Sequence, residues 1–211
     1  MNKRKVIMLA FGVLCLGVGV GLFRYSSAGS DPFSAMALGF QSLTGLPFGT
    51  CTMLWNAMLF IPVWFLDRRQ IGLGTIFNMC FCGYISDFML SVLDAFGPST
   101  FATRMIGLAA GVIIVSFGLA MYMIPEGGVA PYDALAVIME KRSQGRFSYR
   151  VCRTLTDGLC IVMAVGFVLI SGTGSFAMIG AGTLICMFML GVLAQQFRTM
   201  IETYMNTAKI A

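Results

Sequence analysis

Six apolar stretches, each close to the length that crosses a bilayer, constrain this 211-residue chain more than any other feature. A spanning helix needs about 20 predominantly apolar residues. The runs Val6–Phe23, Phe48–Leu66, Gly74–Leu93, Ile106–Ile124, Leu155–Ser171 and Phe176–Ala194 approach that length. Charge or Gly/Ser/Pro punctuation separates them, at Asp67–Gln70, Asp94–Ser99 and Ser171–Ser175. Only 11% of residues are charged, against about 25% in soluble domains. The mean hydropathy is +0.86. Such a chain has too much apolar surface for water and too little charge for disorder, so the lipid bilayer is its expected solvent. The expectation is an all-α membrane protein with one transmembrane domain over residues 1–211.

The cations set an orientation, because positive loops stay in the cytoplasm. With the N-terminus inside, six crossings return the C-terminus inside. Twelve of the fourteen Lys and Arg residues then lie on the cytoplasmic side, and only Arg24 and Arg104 fall outside. The net charge of +5 therefore follows topology and forms no nucleic-acid patch. Met1–Gly21 has the basic start and apolar run of a secretory signal, but its match to the fourth crossing makes it a membrane helix of the fold.

The chain is written twice. The segment Ile71–Gly83 aligns with Ile179–Gly191, so that Gly72, Gly74, Thr75 and Gly83 meet Gly180, Gly182, Thr183 and Gly191. Asp31–Ala35 aligns with Ala130–Ala134, Cys51-x-x-Leu54-x-Asn56 with Cys152-x-x-Leu155-x-Asp157, and Gly12 and Gly19 with Gly111 and Gly118. The copies run over about 1–97 and 98–211. Each holds three crossings, an odd number, so the second copy starts on the opposite face. That is an inverted-topology repeat, the arrangement of many secondary transporters whose site lies between the halves.

The Gly-x-x-Pro segment after each first helix and the Gly-x-Gly-Thr opening each third helix resemble the YczE/YitT group of bacterial membrane proteins. The similarity covers essentially the whole chain. It implies a multi-pass protein of the bacterial cell (inner) membrane, and it supplies no catalytic or ligand residues. The motif is not strictly kept within the chain, since Asp31-Pro32 in one copy is Ala130-Pro131 in the other.

Two connections, Arg24–Pro47 and Pro125–Thr154, each hold a helix too short to span. Asp31 suits the N-cap and Pro32 the first helical position, and the second helix starts at Pro131. At about 12 residues each reaches roughly 18 Å. One reading is an amphipathic helix at each interface. The other is a re-entrant half-helix whose N-terminus faces a solute at Pro32 or Pro131, with Gly29 and Gly127-Gly128 allowing close backbone approach. Asp31 and Asp133 speak against a bare anion there and favour a cation or mixed-charge solute.

Polar residues inside crossings are costly and mark sites by default. They are Asn56, Asn78, Asp87, Asp157, Gln195 and Gln196, with Asn56 and Asp157 as repeat mates and Asp87 paired with Gln195. Asp157 lies one turn from Arg153, so a structural ion pair competes with a solute role. Asp87 stands near the outer end of its helix and is expected to be wet. No histidine occurs and none of the seven cysteines forms a CxxC pair, so packing explains the cysteines better than a metal or redox role. The glycines of Gly17-x-x-x-Gly21 and Gly107-x-x-x-Gly111 suit close helix packing. No catalytic arrangement appears, and no enzyme activity or cofactor is expected.

These features point to a small secondary transporter or permease of an unidentified small solute. The alternative is a non-transporting membrane component, either a solute-binding subunit of a larger transporter or an accessory or scaffold protein. A homo-oligomer or a partner membrane protein stays open, with Lys141–Arg153 as a docking surface in the second case.

Overall fold

A computed structural model describes residues 3–96, 100–144, 146–172 and 179–210, with side chains through Met205. Among the described residues, eight α-helices occur in the order α1 (Lys3–Ser26), α2 (Pro32–Thr44), α3 (Phe48–Leu66), α4 (Leu73–Ala95), α5 (Phe101–Met123), α6 (Pro131–Arg142), α7 (Tyr149–Ser171) and α8 (Ala181–Ile210). Six of them are long and apolar enough to cross a membrane. The order is long, short, long, long, and then the same again. The outward faces carry Ile61, Phe65, Phe88, Ile106, Leu159 and Ile170, side chains that only lipid solvates well.

Helices α1 and α5 form the centre. About half of each (50% and 56%) is buried, against 11–28% for the other four long helices. Glycines let their backbones meet. A Cβ on Gly12 would stand 2.7 Å from Tyr122 Cβ and 2.9 Å from the Gly118 carbonyl, and one on Gly19 would stand 2.4 Å from Val115 Cγ2. The Gly17 and Gly21 pair faces α4 instead, against Ile85 and Met89. Leu9, Val13, Leu16 and Phe23 of α1 pack with Leu108, Val112, Val115 and Tyr122 of α5 in one apolar cluster.

The short helices begin as their sequences dictate. Asp31 caps α2, its Oδ2 accepting from the Ser34 N–H at 3.1 Å, and Pro32 occupies the first helical position. Pro131 opens α6. The loop before each is pinned to the far part of the chain. The Gly182 N–H donates to the Ala28 carbonyl at 3.0 Å, and the Gly74 N–H to the Gly127 carbonyl at 2.8 Å. Gly29 and Gly128 both take positive φ there, +123° and +93°, and a Cβ on either would strike backbone within 2.6 Å. Only glycine fits such a place.

The helix limits depart from the hydropathy reading at three places. Helix α7 starts at Tyr149 rather than Leu155, after the N-cap Ser148, because its arginines have partners and so do not end it. Helix α5 starts at Phe101, behind Thr100, whose hydroxyl caps Thr103. Helix α8 runs from Ala181 to Ile210, well past Ala194. The expected start of that crossing, Phe176–Met178, lies outside the described residues, as do Gly97–Ser99 and Thr173–Ser175 of the expected breaks.

Candidate functional site

The two short helices meet at their N-terminal ends. The rings of Phe33 in α2 and Tyr132 in α6 stack with centroids 4.8 Å apart. Pro32, Ser34 and Ala35 of α2 are buried, as are Pro131, Tyr132, Asp133 and Ala134 of α6. An amphipathic helix resting on an interface would keep one polar face in water, and these ends do not. Beside them lies a cavity of about 100 Å³, room for several waters. Its walls include Leu16 and Val20 from α1 and Val115 and Leu119 from α5, all in the C-terminal halves of those helices.

Charge concentrates on one wall. Arg153 Nη1 donates to Asp133 Oδ1, and Arg153 Nε lies 3.3 Å from Asp157 Oδ1, one helical turn away. The guanidinium sits over the Tyr132 ring, 4.6 Å from its centroid, and the Tyr132 hydroxyl donates to Asp157 Oδ1. Burial pushes the Tyr132 phenol well above its ordinary value, so it stays a neutral donor. Asp133 and Asp157 are 6% and 3% exposed, a position carboxylates tolerate only when paired.

The opposite wall is less satisfied. Asp31 spends Oδ2 on the Ser34 cap. Asn56, 4% exposed, donates its amide to the Thr52 carbonyl at 3.0 Å. Asp31 Oδ1 and Asn56 Oδ1 are shut off from solvent and have no hydrogen-bond partner among the described residues. Burial moves the Asp31 carboxyl above its ordinary value, with the hydrogen bonds from Ser34 and the charge of Arg153 opposing and Asp133 adding. Buried acceptors without donors are rare, and each calls for an explanation.

Of the residues singled out from the sequence, Asn56, Asn78, Asp157, Asp31, Pro32 and Asp133 line this cavity, and Pro131 stands at its edge between the lining residues Ala130 and Tyr132. Asp87 and Gln195 do not line it. Asp87 Oδ1 accepts from Arg24 at 2.7 Å and Oδ2 from the Gly49 N–H at 2.8 Å. It is a paired acid rather than a merely wet one. Gln195 is exposed and accepts from Arg150 at 3.0 Å. Sequence reading did not place Arg153, Tyr132, Tyr149 or Thr52 at the site. The four-residue step from Arg153 to Asp157 was the available signal for the first; the others follow from tertiary packing.

A larger hollow of about 690 Å³ opens between α5, α6, α7 and α8. It shares Leu119, Tyr149 and Gly191 with the small cavity and carries Glu140, Arg150, Arg198 and Glu202. At the other end Arg24, its side chain 9% exposed, lies over the Phe48 ring at 4.1 Å and joins α1 to α4 and, through Asp87, to the start of α3.

The DUF6198 family, described as a family of unknown function, matches residues 3–199. The chain is similar to the uncharacterized protein YyaS of Bacillus subtilis (strain 168), 26% identical over 201 residues that cover 95% of each chain. An uncharacterized protein of Haemophilus influenzae is 27% identical over 199 residues, 94% of this chain and 85% of that one. The uncharacterized membrane protein YczE of Bacillus subtilis is 24% identical over 147 residues, 68% of this chain and 67% of its own. No solved structure matches. The resemblance to the YczE group is borne out, and with six membrane-capable helices the chain is a multi-pass membrane protein.

Proposed function

The chain belongs to the DUF6198 family, and from that premise we propose that it is a small secondary transporter of the bacterial cell membrane, with its solute site in the cavity between α2 and α6. The carrying observation is a buried, charge-bearing cavity inside an otherwise apolar bundle, a place where polar groups are expensive and serve function by default.

An inverted repeat underlies this reading. The contacts around α1 and α5 are reciprocal. Gly12 and Gly19 align with Gly111 and Gly118, yet Gly12 touches Gly118 and Gly19 touches Gly111, as a two-fold axis across the pair requires. The Gly74–Gly127 and Gly182–Ala28 bonds are likewise mates. The cavity is lined by mates too, among them the stacked pair Phe33 and Tyr132, Asn56 with Asp157 and Thr52 with Arg153. A site on such an axis near mid-membrane is the arrangement alternating access uses. Buried N-terminal ends on α2 and α6 support the re-entrant reading over the interfacial one. N- and C-termini are assigned to the cytoplasm, which puts the larger hollow, with Arg150 and Arg198, on the cytoplasmic side.

Purified chain in proteoliposomes tests the proposal. Saturable uptake from a panel of radiolabelled small metabolites is expected, and Asp157→Asn is expected to reduce it by about tenfold or more, the worth of a charge-assisted hydrogen bond. Asp133 remains to pair Arg153 in that variant, so expression and thermal stability should hold. Binding without flux would instead favour a solute-binding subunit, and undiminished flux in Asp157→Asn would remove that residue from the site.

A further inference from the structure

We infer that the cavity receives a small protonated amine, whose N–H groups are taken by Asp31 Oδ1 and Asn56 Oδ1. This rests on reading the cavity as the solute site. Three carboxylates (Asp31, Asp133, Asp157) and one guanidinium (Arg153) line it. Arg153 is held by Asp133, Asp157 and the Tyr132 ring, and it is the only cation among the described lining residues. No positive group is left for an anion.

Helix dipoles offer an anion nothing either. The N-terminal end of α2 gives its Ser34 N–H to Asp31, and the first turn of α6 carries Asp133. A chain carboxylate caps α2, and although no side chain caps α6, the negative charge of Asp133 in its first turn repels an anion there. Among the described lining side chains, the atoms left unmatched are the acceptors Asp31 Oδ1 and Asn56 Oδ1 and the hydroxyl of Tyr149, which can also accept. Their complement is a positive group with at least two N–H donors. The remaining walls, Leu16, Val20, Val115, Leu119 and the Phe33 ring, suit a short hydrocarbon body and the ring face of a cation site. The repeat mates sharpen the assignment. Asp133, Arg153 and Asp157 are the mates of Ser34, Thr52 and Asn56, all of them lining residues, so one set is an ionic network with one carboxylate in excess of its cation and the other is the acceptor surface left for the solute.

The test uses the full chain in nanodiscs with n-propylammonium chloride as probe, and sodium propionate and sodium chloride as comparators at equal ionic strength. Thermal unfolding and calorimetric titration should show saturable binding of propylammonium and none of propionate or sodium. Asp31→Asn keeps an equally good helix cap and should weaken binding on the order of tenfold to a hundredfold. Asn56→Leu, close in volume, should weaken it as well. The surface variant Asp67→Asn should bind like the parent. Binding of propionate or sodium alone, no binding of propylammonium, or equal binding by the parent and both cavity variants would overturn the inference. Amine binding without liposome flux would sink the transporter reading and leave this site standing. Flux of an anionic or neutral solute with no amine binding would do the reverse.

Discussion

Arg153 shows how a charge survives among apolar helices. Two carboxylates and an aromatic face enclose its guanidinium, and the planar fork suits that geometry in a way an ammonium does not. The attraction roughly offsets the cost of burying the charges, so the network defines geometry more than it stabilises the bundle. Removing one member is a different matter. Arg153→Ala leaves Asp133 and Asp157 buried side by side, and it should lower the unfolding free energy by about 3–5 kcal/mol. Asp133→Asn should cost less, because Asp157 still faces the arginine, and Arg153→Lys should recover only part of the loss. Thermal denaturation in one detergent ranks the three; an Arg153→Ala protein as stable as the parent would show that water reaches the network.

Helix packing follows from where glycine stands. At the α1–α5 crossing the backbones touch because Gly12, Gly19, Gly111 and Gly118 carry no Cβ. Gly19→Ala should therefore destabilise by about 1–3 kcal/mol through overpacking. Gly166→Ala in α7, where nothing lies within 4 Å of the new atom, should be neutral or stabilising by up to about 1 kcal/mol. Equal effects at the two positions would refute the crossing. The sequence already carried this level well: the six crossings, the capped start of α2 at Asp31-Pro32 and the close approach at Gly29 and Gly128 all have local causes. Its failures share one cause. Hydropathy counts a charge but not the charge's partner. Hydropathy puts Arg150 and Arg153 at the end of a loop, while the structure gives them Gln195, Asp133 and Asp157 and so lets α7 begin at Tyr149. Its place near the outer end of its helix makes Asp87 look wet, and its partner Arg24, 63 residues away, is invisible to that reading.

At the scale of the whole molecule the two ends of the bundle are unequal. One end has the open hollow carrying Arg150 and Arg198; the other is tied by Arg24, Asp87 and the Gly49 N–H, which join α1, α4 and the start of α3. If the copies exchange roles during transport, as an inverted repeat allows, this tie must break for the site to face the other side. At the mate of Asp87 stands Gln195, bonded to Arg150 at the surface, a neutral acceptor that holds less firmly. On the proposed transporter reading, with both termini in the cytoplasm, the resting form therefore opens to the cytoplasmic side. Cys51, fully buried two residues past Gly49, reports on the tie. In right-side-out vesicles an impermeant maleimide should leave Cys51 unmodified in the parent chain. Asp87→Asn keeps the shape but drops the charge, and peptide mass spectrometry should then find Cys51 alkylated about tenfold faster or more, the scale set by losing a charge-assisted bond. Gln195→Ala should leave Cys51 protected. Faster labelling in both variants would mean general loosening, and an unlabelled Cys51 in a folded Asp87→Asn protein would mean that this end of the bundle does not open.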